Sequence, residues 1–262
     1  MSNVAGIEDQ HEEEWREILT QGHSARSLKN LKRIMRLLPG HPRCKICNNP
    51  FGGFGGSVCR IAGFRPSRKN PRICTLCCEK MPRGGAEVEA VVLFADIRGS
   101  TALAADLGPT SYAKLLNRFY RVSTEILIAY DATVDKLIGD EVMAFFVSGF
   151  AGEEFENKAT HAGLALMRAF GYPQDPWIPV GIGIDAGLAY IGNVGSEFLV
   201  DFTALGDPVN VAKRIQSRAG AGQILISTAA FDALSCDVSA SKAYPLTLKG
   251  KQDAVMVRSL GI

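Results

Sequence analysis

No apolar run in the 262 residues approaches the roughly 18 needed to cross a bilayer, so no membrane helix is expected. A signal peptide is lacking too. Ile7-Glu8-Asp9-Gln10-His11-Glu12-Glu13-Glu14 is acidic where such a segment is basic and then apolar. Both absences read as a cytoplasmic protein. Acid itself is scarce in one stretch. Between Ser24 and Arg83 stand 14 Lys and Arg against a single acid, Glu79, a local net of +13 that the overall +2 conceals. Residues 1–23 carry −5, and the chain from Gly84 onward carries −6. A region so basic suits nucleic acid, an anionic membrane surface or an acidic partner. It suits equally well a solvated face, or one docked on the acidic remainder of the chain.

What is present is enough for one or two domains with a sizeable core, since 47% of residues are hydrophobic. Three regions are read: a helical segment 1–40, a Cys-rich module 41–83, and a larger domain 84–262. In the first, Trp15, Ile18 and Leu19, then Leu28, Leu31, Ile34, Met35 and Leu38, fall at helical spacing. Gly22 interrupts them, and Pro39-Gly40 ends the second helix. The basic residues of that helix make it a membrane-surface or partner-binding candidate. A helix packed on its neighbour or across a dimer axis accounts for the pattern as well.

Cys44-Lys45-Ile46-Cys47 and Cys74-Thr75-Leu76-Cys77 form a CxxC…CxxC pair. Their separation is longer than the usual two-knuckle spacing. Disulfides are not expected in a reducing compartment. Four thiolates in two knuckles suit a tetrahedral Zn²⁺, which stabilises small modules that have little core of their own. The loop-rich segments 51–56 and 66–71 need such a staple. Cys59 and Cys78 keep an iron–sulfur cluster or redox-active thiols open as alternatives. His41, three residues before Cys44, could stand in for a cysteine. Met81-Pro82-Arg83-Gly84-Gly85 reads as a linker.

Past the linker, strand and helix patterns alternate. Strands are expected at 88–97, 132–138, 141–147, 178–185, 188–194, 223–227, 245–248 and 255–259, and helices at 101–107, 109–130, 159–170 and 209–217. Residues 178–194 read as a hairpin. The order implies an α+β fold of the ferredoxin-like kind, an antiparallel sheet with helices packed on it. Two acids stand out. Asp96 closes the apolar run Val88–Phe94 just before the turn at Gly99, and Asp140 sits in a hairpin turn beside Gly139. Carboxylates at strand ends and turns are well placed for hard cations, and two of them suggest a two-metal site for phosphoryl chemistry.

Phe94-Ala95-Asp96-Ile97-Arg98-Gly99-Ser100-Thr101, Lys136-Leu137-Ile138-Gly139-Asp140-Glu141, Thr203-Ala204-Leu205-Gly206-Asp207-Pro208-Val209-Asn210-Val211-Ala212-Lys213-Arg214 and Leu248-Lys249-Gly250 occur in this order. Together they resemble the catalytic domain of class III nucleotidyl cyclases. The resemblance implies that family's fold and a cyclase using two Mg²⁺ or Mn²⁺ ions held by Asp96, Asp140 and the Ile97 backbone. It implies that Lys136 and Thr203 contact the base, Asn210 the ribose, Arg214 the α-phosphate and Lys249 the terminal phosphates. Lys with Thr is the ATP-selective pair, because a Lys donor suits adenine N1 and clashes with the N1–H of guanine. The Thr form also marks a bacterial subclass that often responds to bicarbonate. The family's active sites are shared between subunits, so a homodimer with two composite sites is implied. Open alternatives are a guanylyl or pyrimidine cyclase, and a nucleotide-binding sensor or adaptor whose Cys module binds a regulatory ligand or partner. Lys213 is read as a surface residue.

Overall fold

A computed structural model describes residues 2–22, 26–67, 71–79, 84–196, 200–247 and 253–261, the side chains of 2–10, 26–29, 78 and 79 aside. In chain order the elements are α1 (Ser2–Gln21), α2 (Arg26–Leu37), α3 (Gly53–Ile61), α4 (Thr75–Glu79), β1 (Gly84–Ile97), α5 (Ser100–Ala129), β2 (Thr133–Ile138), β3 (Glu141–Phe146), α6 (Ser148–Ala151), α7 (Phe155–Ala169), β4 (Val180–Gly195), β5 (Val200–Leu205), α8 (Asp207–Arg218), β6 (Gln223–Ser227), α9 (Thr228–Asp232), β7 (Tyr244–Leu246) and β8 (Val255–Leu260). The eight strands form one sheet in the order β2-β3-β1-β4-β6-β8-β7, with β5 added on β4. Pairing is antiparallel at β1–β3, β2–β3, β4–β5, β6–β8 and β7–β8, and parallel at β4–β6. The fold is α+β, as the strand and helix order implies.

Contacts divide the chain into two compact units. One comprises 1–88, 147–153 and 190–205, and the other 89–146, 154–189 and 206–262. In the second, the central strands are apolar on both faces, as burial beneath helices requires: residues 90–95 of β1 and all of β3 are buried. Phe119 of α5 and Phe170 after α7 meet at 5.6 Å between ring centres. Val211, Ile215 and Ala219 along α8 pack on Leu225 and Val257. Gly183 lets α8 approach β4 closely, since a Cβ there would lie 2.3 Å from the Gln216 nitrogen. The two helices read at 101–107 and 109–130 run on as α5 across a kink at Gly108, whose φ of 72° is not helical. Gly99, at φ 67°, makes the turn into α5 without the Cβ cost of a left-handed residue.

In the first unit, Trp15, Ile18 and Leu19 are buried, and the Trp15 indole stacks on Phe202 at 5.7 Å and 16°. α1 lies against α6, where a Cβ on Gly149 would fall 2.3 Å from the Ile18 carbonyl oxygen. The Ser148 hydroxyl donates to the Thr20 carbonyl at 2.9 Å. α2 and α3 meet through Met35 and Cys59, whose sulfurs are 3.9 Å apart. The Arg43 guanidinium donates to the Met35 and Leu38 carbonyls and so closes the C-terminus of α2.

Two expectations are corrected. Residues 180–195 are one strand, not a hairpin. Asp185-Ala186-Gly187 resembles a turn in sequence, yet the chain continues through it in extended form, and the hairpin partner of the C-terminal half of β4 is β5, paired Tyr190 to Leu205. Gly84 and Gly85 open β1 rather than a linker. Gly85 is needed there because a Cβ would strike the Ile191 carbonyl oxygen at 2.4 Å.

Candidate active site and metal centre

The acids marked by the sequence lie at neighbouring ends of β1 and the β2–β3 hairpin. Asp96 is the register partner of Glu141, the residue after Asp140, and the Ile97 N–H donates to the Asp140 carbonyl at 3.1 Å. This backbone pairing sets the two carboxylates in each other's field. Burial pushes the Asp96 carboxyl above its ordinary range, Arg98 opposes that rise, and Asp140 adds to it. The Arg98 side chain is hydrogen-bonded to Asp96. The turn at Gly139, with φ of 60°, is tied to α5 by the Tyr120 hydroxyl, which donates to the Gly139 carbonyl. Burial, then the charge of Asp140, raises the phenols of Tyr112 and Tyr120 above their usual range. Two half-buried carboxylates in one another's field are the hard-oxygen donor set that a divalent cation takes.

Lys213 is exposed, as read from sequence, yet it is not without a partner. It forms an ion pair with buried Glu141, and burial lowers its ammonium pKa against the opposing pull of Asp96 and Asp140. It lies on the same side of α8 as Asn210 and Arg214, at i+3 and i+4 from Asn210. That spacing was the available signal. Arg98, hydrogen-bonded to Asp96, is a further neighbour that the sequence did not mark. Asn210 is exposed and Arg214 half-buried, one turn apart on α8.

Lys136 follows a register shift in the β2–β3 ladder between Val134 and Lys136. Such a bulge re-aims side chains. Asp135 is turned inward with its side chain fully covered, and it holds the Lys136 ammonium at 3.1 Å. Thr203, in β5 of the first unit, is buried, with its hydroxyl 3.4 Å from the Ala204 carbonyl. Lys249 lies outside the described residues.

The four cysteines of the paired motifs come together. The sulfurs of Cys44, Cys47, Cys74 and Cys77 all lie within 4.8 Å of one another, and all four residues are buried. Tetrahedral Zn²⁺ with bonds of about 2.3 Å would set sulfurs about 3.8 Å apart. The Cys47 and Cys74 sulfurs are 3.7 Å apart. Backbone N–H groups of Cys74 and Cys77 point at the sulfurs of Cys44 and Cys74, each at 3.3 Å, as suits thiolate acceptors. The two knuckles are joined by the Lys45 N–H donating to the Arg72 carbonyl at 2.9 Å. Hydrogen bonds from Cys47, Cys74 and Cys77 hold the Cys44 thiol far below its ordinary range. His41 and Cys59 are not in this cluster. Cys59 faces Met35 instead, and burial raises its thiol. The Cys78 side chain lies outside the described ones.

Among known proteins, an adenylate cyclase of Anabaena cylindrica is 31% identical over 182 residues, which are 63% of this chain and 35% of the relative. The chain thus spans about a third of that relative's length. The crystal structure of the adenylyl cyclase CyaB from P. aeruginosa superposes with a TM-score of 0.60 at 28% identity, covering 67% of this chain and 95% of that one. That of the guanylyl cyclase Cya2 superposes with a TM-score of 0.63 at 26% identity, covering 68% and 93%. Residues 86–258, about two thirds of the chain, match the family model described as the adenylate and guanylate cyclase catalytic domain. The sequence motifs, the fold and these matches agree: the chain belongs to the family of adenylate and guanylate cyclase catalytic domains.

Proposed function

We propose that the protein is an adenylyl cyclase that converts ATP to 3′,5′-cyclic AMP and pyrophosphate at sites shared across a homodimer. The observation that carries this reading is the juxtaposition of Asp96 and Asp140 at one end of β1 and the β2–β3 hairpin, with Asn210 and Arg214 supplied by one face of α8. In the reaction the ribose 3′ oxygen attacks the α-phosphorus, and the bond to the oxygen bridging to the β-phosphate breaks. Asp96, Asp140 and the Ile97 carbonyl would hold Mg²⁺ or Mn²⁺. When bound, these ions neutralise triphosphate charge and make the 3′ hydroxyl easier to deprotonate.

The remaining work falls to side chains. Asn210 orients the ribose, and Arg214 stabilises charge gathering on the α-phosphoryl oxygens. Lys249 binds the departing pyrophosphate. Lys136 and Thr203 read the adenine edge, and Asp135 positions the Lys136 ammonium from the bulge in β2. Proteins of both base preferences resemble the chain, so the choice of ATP rests on Lys136 and Thr203. We assign the cysteine tetrad to a structural Zn²⁺. Its sulfur spacing suits one ion, whereas a multi-iron cluster carries bridging sulfides that set its thiolates further apart.

The test is product formation by the purified chain with Mn²⁺ and ATP, GTP, CTP or UTP supplied separately. Cyclic AMP as the dominant product is expected. Preference for another nucleotide overturns the base assignment, and no product from any of them overturns the enzymatic reading. Mixing Asp96→Ala and Arg214→Ala chains, each inactive alone, should restore roughly a quarter of the wild-type rate, since half the dimers then carry one intact site.

A further inference from the structure

Among the described residues, large apolar side chains protrude furthest from the first unit. Ile61 is 91% exposed, Leu37 82% and Phe54 76%, whereas none described in the second unit exceeds 53%. Ile34 and Val58 are exposed as well. We propose that these five residues form a docking face for a bilayer rich in anionic lipid. The inference does not depend on which nucleotide, if any, the catalytic domain cyclises.

The five lie on one side of a helix pair. Met35 of α2 meets Cys59 of α3, and Leu38 meets Gly55, so the two helices run antiparallel. At about 100° per residue, Ile34 and Leu37 stand roughly 100–160° to one side of Met35. Phe54, Val58 and Ile61 stand roughly 100–160° from Cys59 in the same rotational sense. In an antiparallel pair, equal rotation away from the line of contact leads to the same side. The apolar side chains thus make one face that is two helices wide. Soluble proteins rarely leave so broad an apolar face bare unless something docks there.

Charge selects the partner. No Asp or Glu occurs between Ser24 and Cys78. Arg33 and Arg36 on α2, Arg60 on α3 and Arg65 beyond it are exposed. Arg33 lies about 40° from Leu37 around α2, at the edge of the apolar face. The −5 of residues 1–23, and about −2 from a zinc-loaded tetrad, offset part of the +13 of residues 24–83, and roughly +6 remains. Interfacial helices bind membranes by burying apolar side chains in the acyl boundary while arginines reach back to the lipid phosphates. Each basic residue near an anionic leaflet adds to that attraction. A second copy of the chain would set this basic surface against its own duplicate. A protein groove that takes one helix face would here have to take two side by side.

The test is flotation of the full chain with vesicles of phosphatidylcholine alone, or mixed with an equal amount of phosphatidylserine. Binding to the mixed vesicles is expected, and about tenfold or more weaker binding to phosphatidylcholine alone or at raised salt. Leu37→Ser with Ile61→Ser should weaken it by about tenfold or more, and so should Arg33→Gln with Arg60→Gln. All four side chains are exposed, so zinc content and circular dichroism should stay as in the parent chain. Absence of binding to the mixed vesicles overturns the proposal. Binding that is indifferent to salt, or to either pair of substitutions, overturns it too. A dimer that Leu37→Ser with Ile61→Ser dissociates, without vesicle binding, gives the face to a second copy instead. If the serine variant loses zinc or helix, Phe54→Trp decides the matter. Its emission, measured against the parent chain, should shift to the blue on the mixed vesicles, and an unchanged spectrum sinks the idea.

Discussion

The cysteine cluster and the aspartate pair are built on opposite principles. Four soft sulfur donors are buried, each residue at most 8% exposed, and their spacing leaves room for one ion and nothing more. Two hard oxygen donors at positions 96 and 140 are only half covered, with charged neighbours Arg98 and Lys213 in their field. The closed cluster suits a structural ion, and the open pair leaves coordination positions for a substrate. The supports differ as well. The sulfurs depend on two short knuckles 30 residues apart in sequence, the second running into α4, with α3 and short turns between them. The carboxylates sit on the ends of a buried sheet that would be present with or without a ligand.

The largest expected effect removes the closed centre. Stripping its ion with a chelator, or replacing Cys44 and Cys74 by Ser, should unfold the Cys-rich region, because structural zinc sites contribute on the order of 10 kcal/mol. Hydrogen exchange over residues 41–79 should rise to the unfolded rate while β1, β3 and β4 stay protected. Unchanged protection over 41–79 would erase the distinction between the two centres.

The next breaks the comparison from the other side. Asp96→Asn should lower cyclase turnover by about 10³-fold, the scale of losing a group that acts on the transition state. Its melting temperature should stay the same or rise. The sign follows from burial: the fold raises the Asp96 pKa, so ionising this carboxyl at neutral pH opposes folding, and that cost vanishes only as pH falls through the raised value. A marked fall in stability would make Asp96 a structural acid.

Smaller still, Lys136→Glu should move the ATP-to-GTP preference by about 10²-fold toward GTP, read as a ratio of kcat/KM values. A uniform loss with both nucleotides would leave Lys136 as no more than the partner of Asp135. The smallest effect tests the surface of the first unit. Leu37 on α2 is 82% exposed. Leu37→Ser should change stability by less than about 0.5 kcal/mol in urea titration, whereas Met35→Ser, buried against Cys59, should cost about 2 kcal/mol or more. Equal costs would mean that the exposed side of α2 is covered in solution.

Much of this was legible in the chain, and unevenly so. The alternation around Asp96 and Asp140 marked the strand ends and the turn, because period-two burial and Gly-Asp turn chemistry are local properties. The continuous β4 was not legible. Asp185-Ala186-Gly187 has the composition of a turn, and pairing of β4 with β1, β5 and β6 keeps it extended. β5 itself was missed, because Thr203-Ala204-Leu205 drew notice as the start of a motif and not as part of a strand. The pairing of exposed Lys213 was not legible for a related reason: its partner Glu141 lies 72 positions away.

Local order determined by itself where strands end in acids, which cysteines form knuckles and which helix face carries Asn210 and Arg214. These follow from the reach of neighbouring residues along one backbone. Tertiary structure alone decided that four sulfurs converge to within 4.8 Å, that Glu141 takes Lys213, and that α2 and α3 bring five exposed apolar side chains to one side. Each of these depends on distances between segments far apart in sequence, which packing sets and periodicity does not encode.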